Sequence, residues 1–552
     1  MIFTTDLKIR TDKILGRKEA DAVREELIRK LHLKTDPSQV EVKILRRSLD
    51  ARNKPELFYQ YHIRVSVPGQ MSFKGKNVTV TMVDPKEEER ARYHFPVEGC
   101  KGELSEELRP VIIGAGPCGL FAAYELSIRG FKPIVVERGQ KVEERTGTIE
   151  AFWAGKAALD PSSNVSFGEG GAGTFSDGKL NTMVKDKYGR YREVLDVFLR
   201  HGAPESIGYL AKPHIGTDCL RTVIRNMRLF MEQNGAEFLF ETELTDLQVK
   251  DGVLIGLTLK DQNGERTIPC RNCVLAIGHS ARDTFQMLEK KGMAMEPKAF
   301  AVGVRVAHPQ SMINESQYGS GYDKRLQAAD YKLTAEGVNG RGIYSFCMCP
   351  GGYVVNASSE EGYLAVNGMS YMDRGSENAN SALIVTVTPR DFMAEGSALE
   401  NASALSGMYY QRRLEKKAFL SAGGRIPVQL YGDFCENRIS SGYGDFELCV
   451  KGSTEFADLR SVLPGEVSAS LEAGMQQFDR RIKGFGRKDA IFAGLESRTS
   501  SPVRILRDEE MQSPAVKGIF PCGEGAGYAG GITSAAIDGI KVAEKIAVLL
   551  QG

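Results

Sequence analysis

The sequence predicts an α/β fold built around a Rossmann-like dinucleotide-binding unit. A buried strand, a glycine-rich turn, a helix and a second strand follow one another between VIIGAGPCG (111–119) and PIVVERG (133–139). A second glycine-rich strand–turn–helix pattern occupies residues 518–546. Between the two units lies a long segment of mixed pattern, over 283 to about 490, that carries no nucleotide signature.

Length and composition exclude several classes of protein. The 552 residues suffice for roughly three or four domains, and 42% hydrophobic with 26% charged residues is ordinary for a globular protein. No stretch reaches the roughly 18 apolar residues of a membrane span, and a net charge of +1 creates no global attraction for nucleic acid or a membrane. The first residues lack a secretory signal pattern, so we expect a cytoplasmic protein with ten reduced cysteines.

Residues 1–95 are predicted to form a separate small α+β domain, and residues 96–109 a linker. The pattern favours a helix over 17–31 and strands over 40–46 and 58–67. Positions 1–80 carry 17 basic and 10 acidic residues, so RNA binding by this domain is an alternative function. A solvated surface is the favoured interpretation, because the domain has no aromatic stacking pattern or RNA-binding motif.

The first glycine-rich turn has the context that a dinucleotide site needs. Of three G-x-G-x-x-G matches, only Gly114/Gly116/Gly119 follows a strand, opens a helix and has an acidic residue, Glu137, ending the next strand. Gly116 would let the backbone approach a pyrophosphate at the helix N-terminus, and Glu137 would accept hydrogen bonds from the adenosine ribose. The cofactor contacts predicted from this unit are Gly114, Gly116, Pro117, Cys118, Gly119, Glu137 and Arg138.

The closing unit, GIFPCGEGAGYAGGITSAAIDGIKVAEKI (518–546), resembles the last motif of the FAD-binding superfamily typified by glutathione reductase and p-hydroxybenzoate hydroxylase. The resemblance implies that Glu524, where the superfamily usually has Asp, holds the ribityl or pyrophosphate part of FAD. The helix from Thr533 would direct its N-terminal dipole at the flavin. The FAD contacts implied here are Gly523, Glu524, Gly530, Gly531 and Ile532.

A third glycine-rich segment, FGEGGAGTFSDGKL (167–180), lies where this superfamily places a loop along the pyrophosphate and flavin. The resemblance implies a cofactor contact here, and an ordered surface loop is the alternative. Lys179 would help to balance the phosphate charge. The loop residues predicted to contact FAD are Gly171, Ala172, Gly173, Thr174 and Lys179.

Together with AIGHSARDTF (276–285), FCMCPGGYVVNASSE (346–360) and ESRTSSPVRI (496–505), these motifs resemble a bacterial family of uncharacterised FAD-dependent dehydrogenases over the whole chain. The resemblance implies a Rossmann-like FAD-binding domain split between 110–282 and 491–552. It also implies a mixed α+β substrate domain inserted at 283–490, the small N-terminal domain, and noncovalent FAD. Transient binding of NAD(P)H at the exposed face of the flavin is a further alternative.

Candidate catalytic side chains follow the predicted strand Cys273–Ile277, because the carboxyl ends of such strands present ligand contacts. Gly278 is a predicted FAD contact, His279 a candidate acid or base, and Arg282 a candidate for orienting an anionic substrate. A structural histidine and an Arg–Asp pair that closes the turn are the alternatives.

Cys347 and Cys349 alternate along a predicted strand, which would place both side chains on one face. A reduced pair beside the flavin could relay electrons or attack a substrate if a nearby cation lowered a pKa. Packing against the following Pro-Gly-Gly is the favoured interpretation. The CRNC segment (270–273) has no second Cys or His pair at zinc-site spacing, so no metal site is predicted.

We therefore expect an FAD-dependent oxidoreductase that exchanges hydride or electrons with a small substrate. Arg305 and Arg498 would indicate an anionic substrate if they converge on one cleft. The alternatives are an RNA-associated flavoprotein and a flavin-bearing regulatory protein without turnover. Substrate identity, the direction of electron flow and the oligomeric state are not determined by these patterns.

Overall fold

The N-terminal domain is a four-stranded antiparallel sheet covered by one helix. The computed structural model describes residues 1–68, 79–84, 92–392 and 403–551. The elements of the domain are β1 (Ile2–Arg10), α1 (Glu19–Leu31), β2 (Glu41–Asp50), β3 (Phe58–Ser66) and β4 (Val80–Met82), with the strand order β2–β3–β1–β4. Helix α1 packs on the sheet because Ala22, Val23, Leu27 and Leu31 follow the helical period. The predicted α+β pattern is confirmed.

This domain is hydrogen-bonded to the rest of the chain along β2. The Arg47 N–H donates to the Tyr209 carbonyl at 2.7 Å, and the Ala211 N–H donates to the Arg47 carbonyl at 2.8 Å. Further arginines pair with carboxylates of the domain: Arg17 with Glu25, Arg29 with Glu26, and Arg52 with Asp50. These ion pairs offset part of the positive charge, and RNA binding stays a prediction.

The first part of the nucleotide-binding domain alternates strands and helices. Its strands are β5 (Val111–Ile113), β6 (Ile134–Val136), β7 (Glu237–Leu239), β8 (Glu243–Lys250), β9 (Val253–Asp261), β10 (Gly264–Pro269) and β11 (Cys273–Leu275). Its helices are α2 (Pro117–Ser127), α3 (Val142–Trp153), α4 (Arg190–Arg200), α5 (Thr217–Gln233) and α6 (Arg282–Lys290). Strands β8 to β10 form an antiparallel meander.

The substrate domain is built on a seven-stranded sheet. Its strands are β12 (Met295–Pro297), β13 (Phe300–Pro309), β14 (Thr334–Glu336), β15 (Gly342–Cys349), β16 (Tyr353–Asn356), β17 (Val366–Met369), β18 (Asn378–Val387), β19 (Ile426–Leu430), β20 (Val450–Lys451), β21 (Thr454–Phe456), β22 (Ile491–Glu496) and β23 (Val503–Ile505). Its helices are α7 (Gln310–Tyr318), α8 (Pro389–Phe392), α9 (Ser406–Ser421), α10 (Tyr431–Cys435), α11 (Leu459–Val462) and α12 (Gly465–Asp479). The sheet order is β14–β15–β18–β13–β22–β19–β21, so β22 extends this domain beyond the boundary expected at residue 490.

The chain then returns to the nucleotide-binding domain with β24 (Ile519–Pro521) and α13 (Ile532–Leu549). Strand β24 pairs in parallel with β11 and completes the five-stranded parallel sheet β24–β11–β5–β6–β7. The split Rossmann-like domain is thereby confirmed. Residues 237–239 form the edge of this sheet because β7 pairs with β6.

No helix among the described residues is both long and apolar enough to cross a membrane.

Helices α2 and α13 pack with their backbones in direct contact. A Cβ on Gly539 of α13 would lie 2.1 Å from the carbonyl oxygen of Cys118 in α2, so only glycine fits at this position. The contact joins the first and last parts of the split domain. Both helices begin at glycine-rich turns, so this contact also sets the separation of those turns.

We expect Gly539→Ala to lower the free energy of unfolding by about 1–3 kcal/mol, because the added methyl group forces α13 away from α2. Thermal and urea unfolding followed by circular dichroism measure the change. Gly147→Ala in α3 is the matched control, since a Cβ there meets no atom within 4 Å, and it should be neutral or slightly stabilising. Equal stability of the two variants would contradict the proposed backbone contact.

Candidate functional site

The first glycine-rich turn connects β5 to α2 as a tight backbone turn. Gly114 has φ +105°, and a Cβ on it would lie 2.4 Å from the Ala276 carbonyl oxygen. A Cβ on Gly119 would lie 1.9 Å from the Gly114 carbonyl oxygen, so helix α2 passes directly over the turn. At Gly116, in contrast, the nearest atom to a Cβ is 3.9 Å away. The turn is therefore tightly packed at Gly114 and Gly119, whereas a Cβ on Gly116 would meet no close contact.

Two other glycine-rich segments meet this turn, although they are remote in sequence. A Cβ on Gly171 would lie 2.9 Å from Gly116 Cα, and the Gly170 N–H donates to the Ala115 carbonyl at 2.8 Å. A Cβ on Gly173 would lie 3.0 Å from the Ile532 side chain at the start of α13. The structure thus brings together the three glycine-rich segments that the sequence singled out.

Arg145 holds the middle segment in place. Its side chain is fully buried on the face of α3 that also carries Val142 and Ile149. The guanidinium donates five hydrogen bonds to backbone carbonyls, those of Asn164, Val165, Gly168, Glu169 and Gly171. The sequence analysis did not identify this residue. Its position among the apolar residues on one face of α3 indicates that it is buried.

Glu137 lies at the end of β6 and binds backbone N–H groups of the same region. Its carboxylate accepts from the N–H groups of Ala115 at 2.8 Å, Gly139 at 3.0 Å and Gly168 at 2.9 Å. Roughly four lone-pair sites are present on a carboxylate, so a ribose hydroxyl can still donate to it. The predicted ribose contact is compatible with this geometry and stays a prediction.

Arg138, a predicted cofactor contact, forms ion pairs instead. Its guanidinium is 3.0 Å from Asp283 and 3.1 Å from Glu243, and it stacks on the Phe167 ring. The alternative in which Asp283 pairs with Arg282 is wrong, because Asp283 pairs with Arg138 across the domain. Burial, followed by the hydrogen bond to Asp283, raises the pKa of Glu243 to about 7.

His279 and Glu524 face each other at the carboxyl edge of the parallel sheet. His279 Nε2 is 3.6 Å from Glu524 Oε1, and the other oxygen of Glu524 accepts from the Gly531 N–H at 3.2 Å. Burial, with the charges of nearby arginines, lowers the pKa of His279 to about 4. Burial also raises the pKa of Glu524 to about 7. Near neutral pH, therefore, the imidazole is uncharged and the carboxyl is partly protonated.

Arg282 is not available to orient a substrate. Its guanidinium is buried and donates to both oxygens of Glu415, at 2.8 and 2.9 Å, and also to Glu360. Arg498 binds the same fully buried Glu415 carboxylate at 2.8 and 3.0 Å. The prediction for Arg282 is corrected because α9, far away in sequence, supplies a buried carboxylate that neutralises it.

Lys179 also differs from the prediction. Its ammonium group is 3.0 Å from Asp177 and donates to the Met348 carbonyl, so it binds the loop between Cys347 and Cys349 rather than a phosphate position. The two cysteines do not follow simple strand alternation. A register shift separates Phe346 from Cys349, and Cys347 has φ +44°.

The start of the closing unit is anchored to α2 and to its own helix. Cys118 Sγ is 2.9 Å from Cys522 Sγ, and both thiols are buried. The Gly523 N–H donates to Asp538 at 2.8 Å, and Arg507 binds that carboxylate at 2.8 and 2.9 Å. Cys118 is therefore a packing residue beneath the turn, and the pair formed by Arg507 and Asp538 supports the turn.

The arrangement fits a bound FAD. A Cβ built on Gly278, Gly530 or Gly531 meets no atom of the described residues within 4 Å, so the backbone borders open space there. Two buried polar atoms in this region, Thr174 Oγ1 and His279 Nδ1, have no hydrogen-bond partner among the described residues. Helices α2 and α13 also begin here, and helix N-termini favour phosphate groups and developing negative charge. Extended ligands with both apolar and anionic parts match these features.

A comparison with known protein families points to the same cofactor. A family model described as "FAD-dependent protein, C-terminal domain-like" matches residues 299–499, and a domain of unknown function matches residues 1–66. An uncharacterized protein from Clostridium beijerinckii is 45% identical over 534 residues, which cover 96% of each chain.

Solved structures that resemble the chain include a flavoprotein/dehydrogenase from Cytophaga hutchinsonii, with 13% identity and a TM-score of 0.35, over 80% of this chain and 76% of that one. Another is a glycine oxidase from Bacillus cereus, with 11% identity and a TM-score of 0.30, over 80% of this chain and 94% of that one.

The raised pKa of Glu524 predicts how the stability of the apoprotein depends on pH. The folded state holds a proton on Glu524 up to about pH 7, so the contribution is fully present below the ordinary carboxyl pKa and is lost as the pH rises through about 7. Glu524→Gln removes this titration. We expect the melting temperature of the variant, relative to wild type, to rise between about pH 5 and about pH 8. Glu447→Gln, at an exposed position, is the control and should show a constant difference.

Proposed function

Since the chain belongs to a family of uncharacterised FAD-dependent proteins, we propose that its site exchanges hydride or electrons between FAD and a small substrate. The observation that carries this proposal is that Gly171 packs on Gly116 and Gly173 packs on Ile532, beside the open space at Gly530 and Gly531. Flavin supplies the redox chemistry when it is bound, and the protein supplies binding, orientation and proton transfer.

The glycine-rich segments would hold the cofactor through their backbones. Gly116 and the start of α2 would bind the pyrophosphate, because backbone N–H groups and the helix dipole attract anions there. The Glu137 carboxylate would accept a hydrogen bond from a ribose hydroxyl. Gly530, Gly531 and the start of α13 would lie along the isoalloxazine ring, where added side chains would block approach.

His279 and Glu524 are the proposed proton carriers. The separation of 3.6 Å between Nε2 and Oε1 is close to hydrogen-bonding range, so a small shift permits direct transfer. Glu524 can hold a proton near neutral pH, and the neutral His279 can accept a hydrogen bond from it at Nε2. The unpartnered Nδ1 of His279 is free to bind a polar group of a ligand.

The charges around the site do not favour an anionic substrate through the predicted arginines. Arg282 and Arg498 pair with the two carboxylates of Glu415 and Glu360, and Arg305 pairs with Glu496 at 2.8 Å. We therefore propose a substrate that is recognised by shape and by neutral polar groups, between the glycine-rich segments and the seven-stranded sheet.

We expect Gly530→Leu to abolish FAD retention while the fold is kept, because the side chain enters open space and meets no protein atom near its Cβ. The measurement is the ratio of flavin absorbance at about 450 nm to protein absorbance, with circular dichroism to check that the fold is kept. Gly442→Leu is the control, since its Cβ also meets no atom within 4 Å but lies in the substrate domain. Full flavin occupancy of Gly530→Leu would refute the proposed placement of the ring.

Anaerobic titration tests the reaction itself. The FAD-bound protein is mixed in turn with NADH, with NADPH and with fractions of cell metabolites, and the flavin absorbance at about 450 nm is followed. We expect one of these donors to bleach the flavin within a catalytically useful time. Bleaching by a nicotinamide would indicate a reductase, and bleaching by a metabolite fraction a dehydrogenase or oxidase. Slow or absent bleaching by every donor would favour a flavin-bearing protein without turnover.

A further inference from the structure

Two cysteines, one carboxylate and two cations form a cluster, in which Cys347 and Lys179 are half-buried and the other members buried, where the middle glycine-rich loop meets the substrate domain. The Asp177 carboxylate and the thiols of Cys347 and Cys349 lie within 4.8 Å of one another. Lys179 is 3.0 Å from Asp177 and also binds the Met348 carbonyl between the two cysteines. The cluster therefore joins two segments that are far apart in the sequence.

Arg305 supplies the second cation. Its side chain is fully buried in β13, and Nη1 lies 3.0 Å from the Cys347 carbonyl oxygen and 3.6 Å from Cys349 Sγ. The same nitrogen binds Asn380 at 2.9 Å, while Nε pairs with Glu496. Arg305 is held from several sides, so its charge is fixed beside the Cys349 sulfur.

The two thiols have unequal acidity. Burial acts to raise the pKa of Cys349, but the hydrogen bond from Cys347 and the charges of Arg305 and Lys179 outweigh it, so this pKa is lowered. The hydrogen bond with Cys349, and then burial, raise the pKa of Cys347. The pair thus combines a more acidic thiol with a less acidic one, and the thiolate of the more acidic partner is the species that reacts when a dithiol is oxidised. When protonated, Cys349 can instead donate to the Cys347 carbonyl.

The backbone at the pair is strained. Cys347 has φ +44°, a region that residues with a side chain rarely adopt, and β15 shifts register at this point. In a regular strand, alternate residues are about 6.6–6.8 Å apart at Cα, near the upper limit for a disulfide. Because strain of this kind collects at functional sites, the bulge is a second observation that points to chemistry at the pair.

The cluster lies next to the proposed flavin site. Asp177 and Lys179 belong to the loop between Gly173, which faces Ile532, and Leu180, whose carbonyl accepts a hydrogen bond from Thr533 at 2.9 Å. Both ends of this short stretch therefore touch the start of α13. A redox group held by the stretch would be close to a flavin ring lying along α13.

We propose that Cys347 and Cys349 form a redox-active dithiol that exchanges two electrons with the bound FAD. In the oxidation, the Cys349 thiolate and the Cys347 thiol form an Sγ–Sγ bond and release two electrons and one proton. Oxidised FAD takes both electrons and the proton to give its anionic reduced form, so atoms and charge balance without another reactant. The inference rests on the proposed function and names the group that stores electrons beside the flavin.

Anaerobic dithionite titration of the FAD-bound protein, after mild oxidation with diamide and removal of the oxidant, tests the proposal. We expect the wild type to take up about four electrons per chain before the flavin is fully bleached, two for FAD and two for the disulfide. Cys347→Ser and Cys349→Ser should each take up about two. Cys435→Ser, at an exposed cysteine of α10, is the matched control and should behave like the wild type.

Peptide mass analysis of the same samples gives a readout that does not depend on the flavin. After diamide, the peptide that contains both cysteines should have lost two hydrogens, and dithionite should restore them. Lys179→Gln should slow formation of this disulfide by roughly tenfold at neutral pH, because fewer Cys349 thiols are ionised.

Three outcomes would overturn the dithiol proposal: uptake of about two electrons by FAD-bound wild type, no internal disulfide in the peptide, or bound zinc that is lost from the cysteine variants. A protein that purifies without FAD, yet forms the 347–349 disulfide, would instead contradict the proposed function.

Discussion

The site depends on two buried charges that satisfy backbone groups instead of pairing with each other. Arg145 donates to five carbonyls of the segment 164–171, and Glu137 accepts from three N–H groups in the same region. Glycine-rich backbone has no side chains with which to hold itself, and buried carbonyl and N–H groups are costly when unpaired. These two residues therefore fix the loop against the first turn, and the contact between Gly116 and Gly171 follows from that.

Local patterns explain what could be predicted. The strand, the glycine-rich turn, the helix and Glu137 stand close together in the sequence, so the dinucleotide unit follows from short-range rules. Arg282 and Lys179 were misjudged because their partners, Glu415 and the Met348 carbonyl, are supplied by the substrate domain. A buried arginine and a substrate-binding arginine look alike until the opposite charge has been located.

The substrate domain contributes charge as well as a surface. Glu415 lies between Arg282 of the nucleotide-binding domain and Arg498, while Arg305 lies between Glu496 and Cys349. In both places the buried charge needs its partners, since removing one partner of a buried ion pair destabilises the fold by about 3–5 kcal/mol. The contact between Glu415 and Arg282 thus couples the two domains electrostatically, close to His279.

The split of the parallel sheet determines when this protein can mature during synthesis. Strand β11 pairs with β24, and the whole substrate domain is made between them. The chain loses the entropy of a long loop before the contact between β11 and β24 stabilises it. This pairing therefore forms late in folding. On the ribosome, the N-terminal sheet, the first part of the nucleotide-binding domain and the substrate domain all emerge before β24, and the N-terminal sheet and the substrate domain can fold as units. The cofactor site closes only after α13 has left the exit tunnel, and a truncated chain is consequently left with an exposed strand edge at β11 and no place for a flavin.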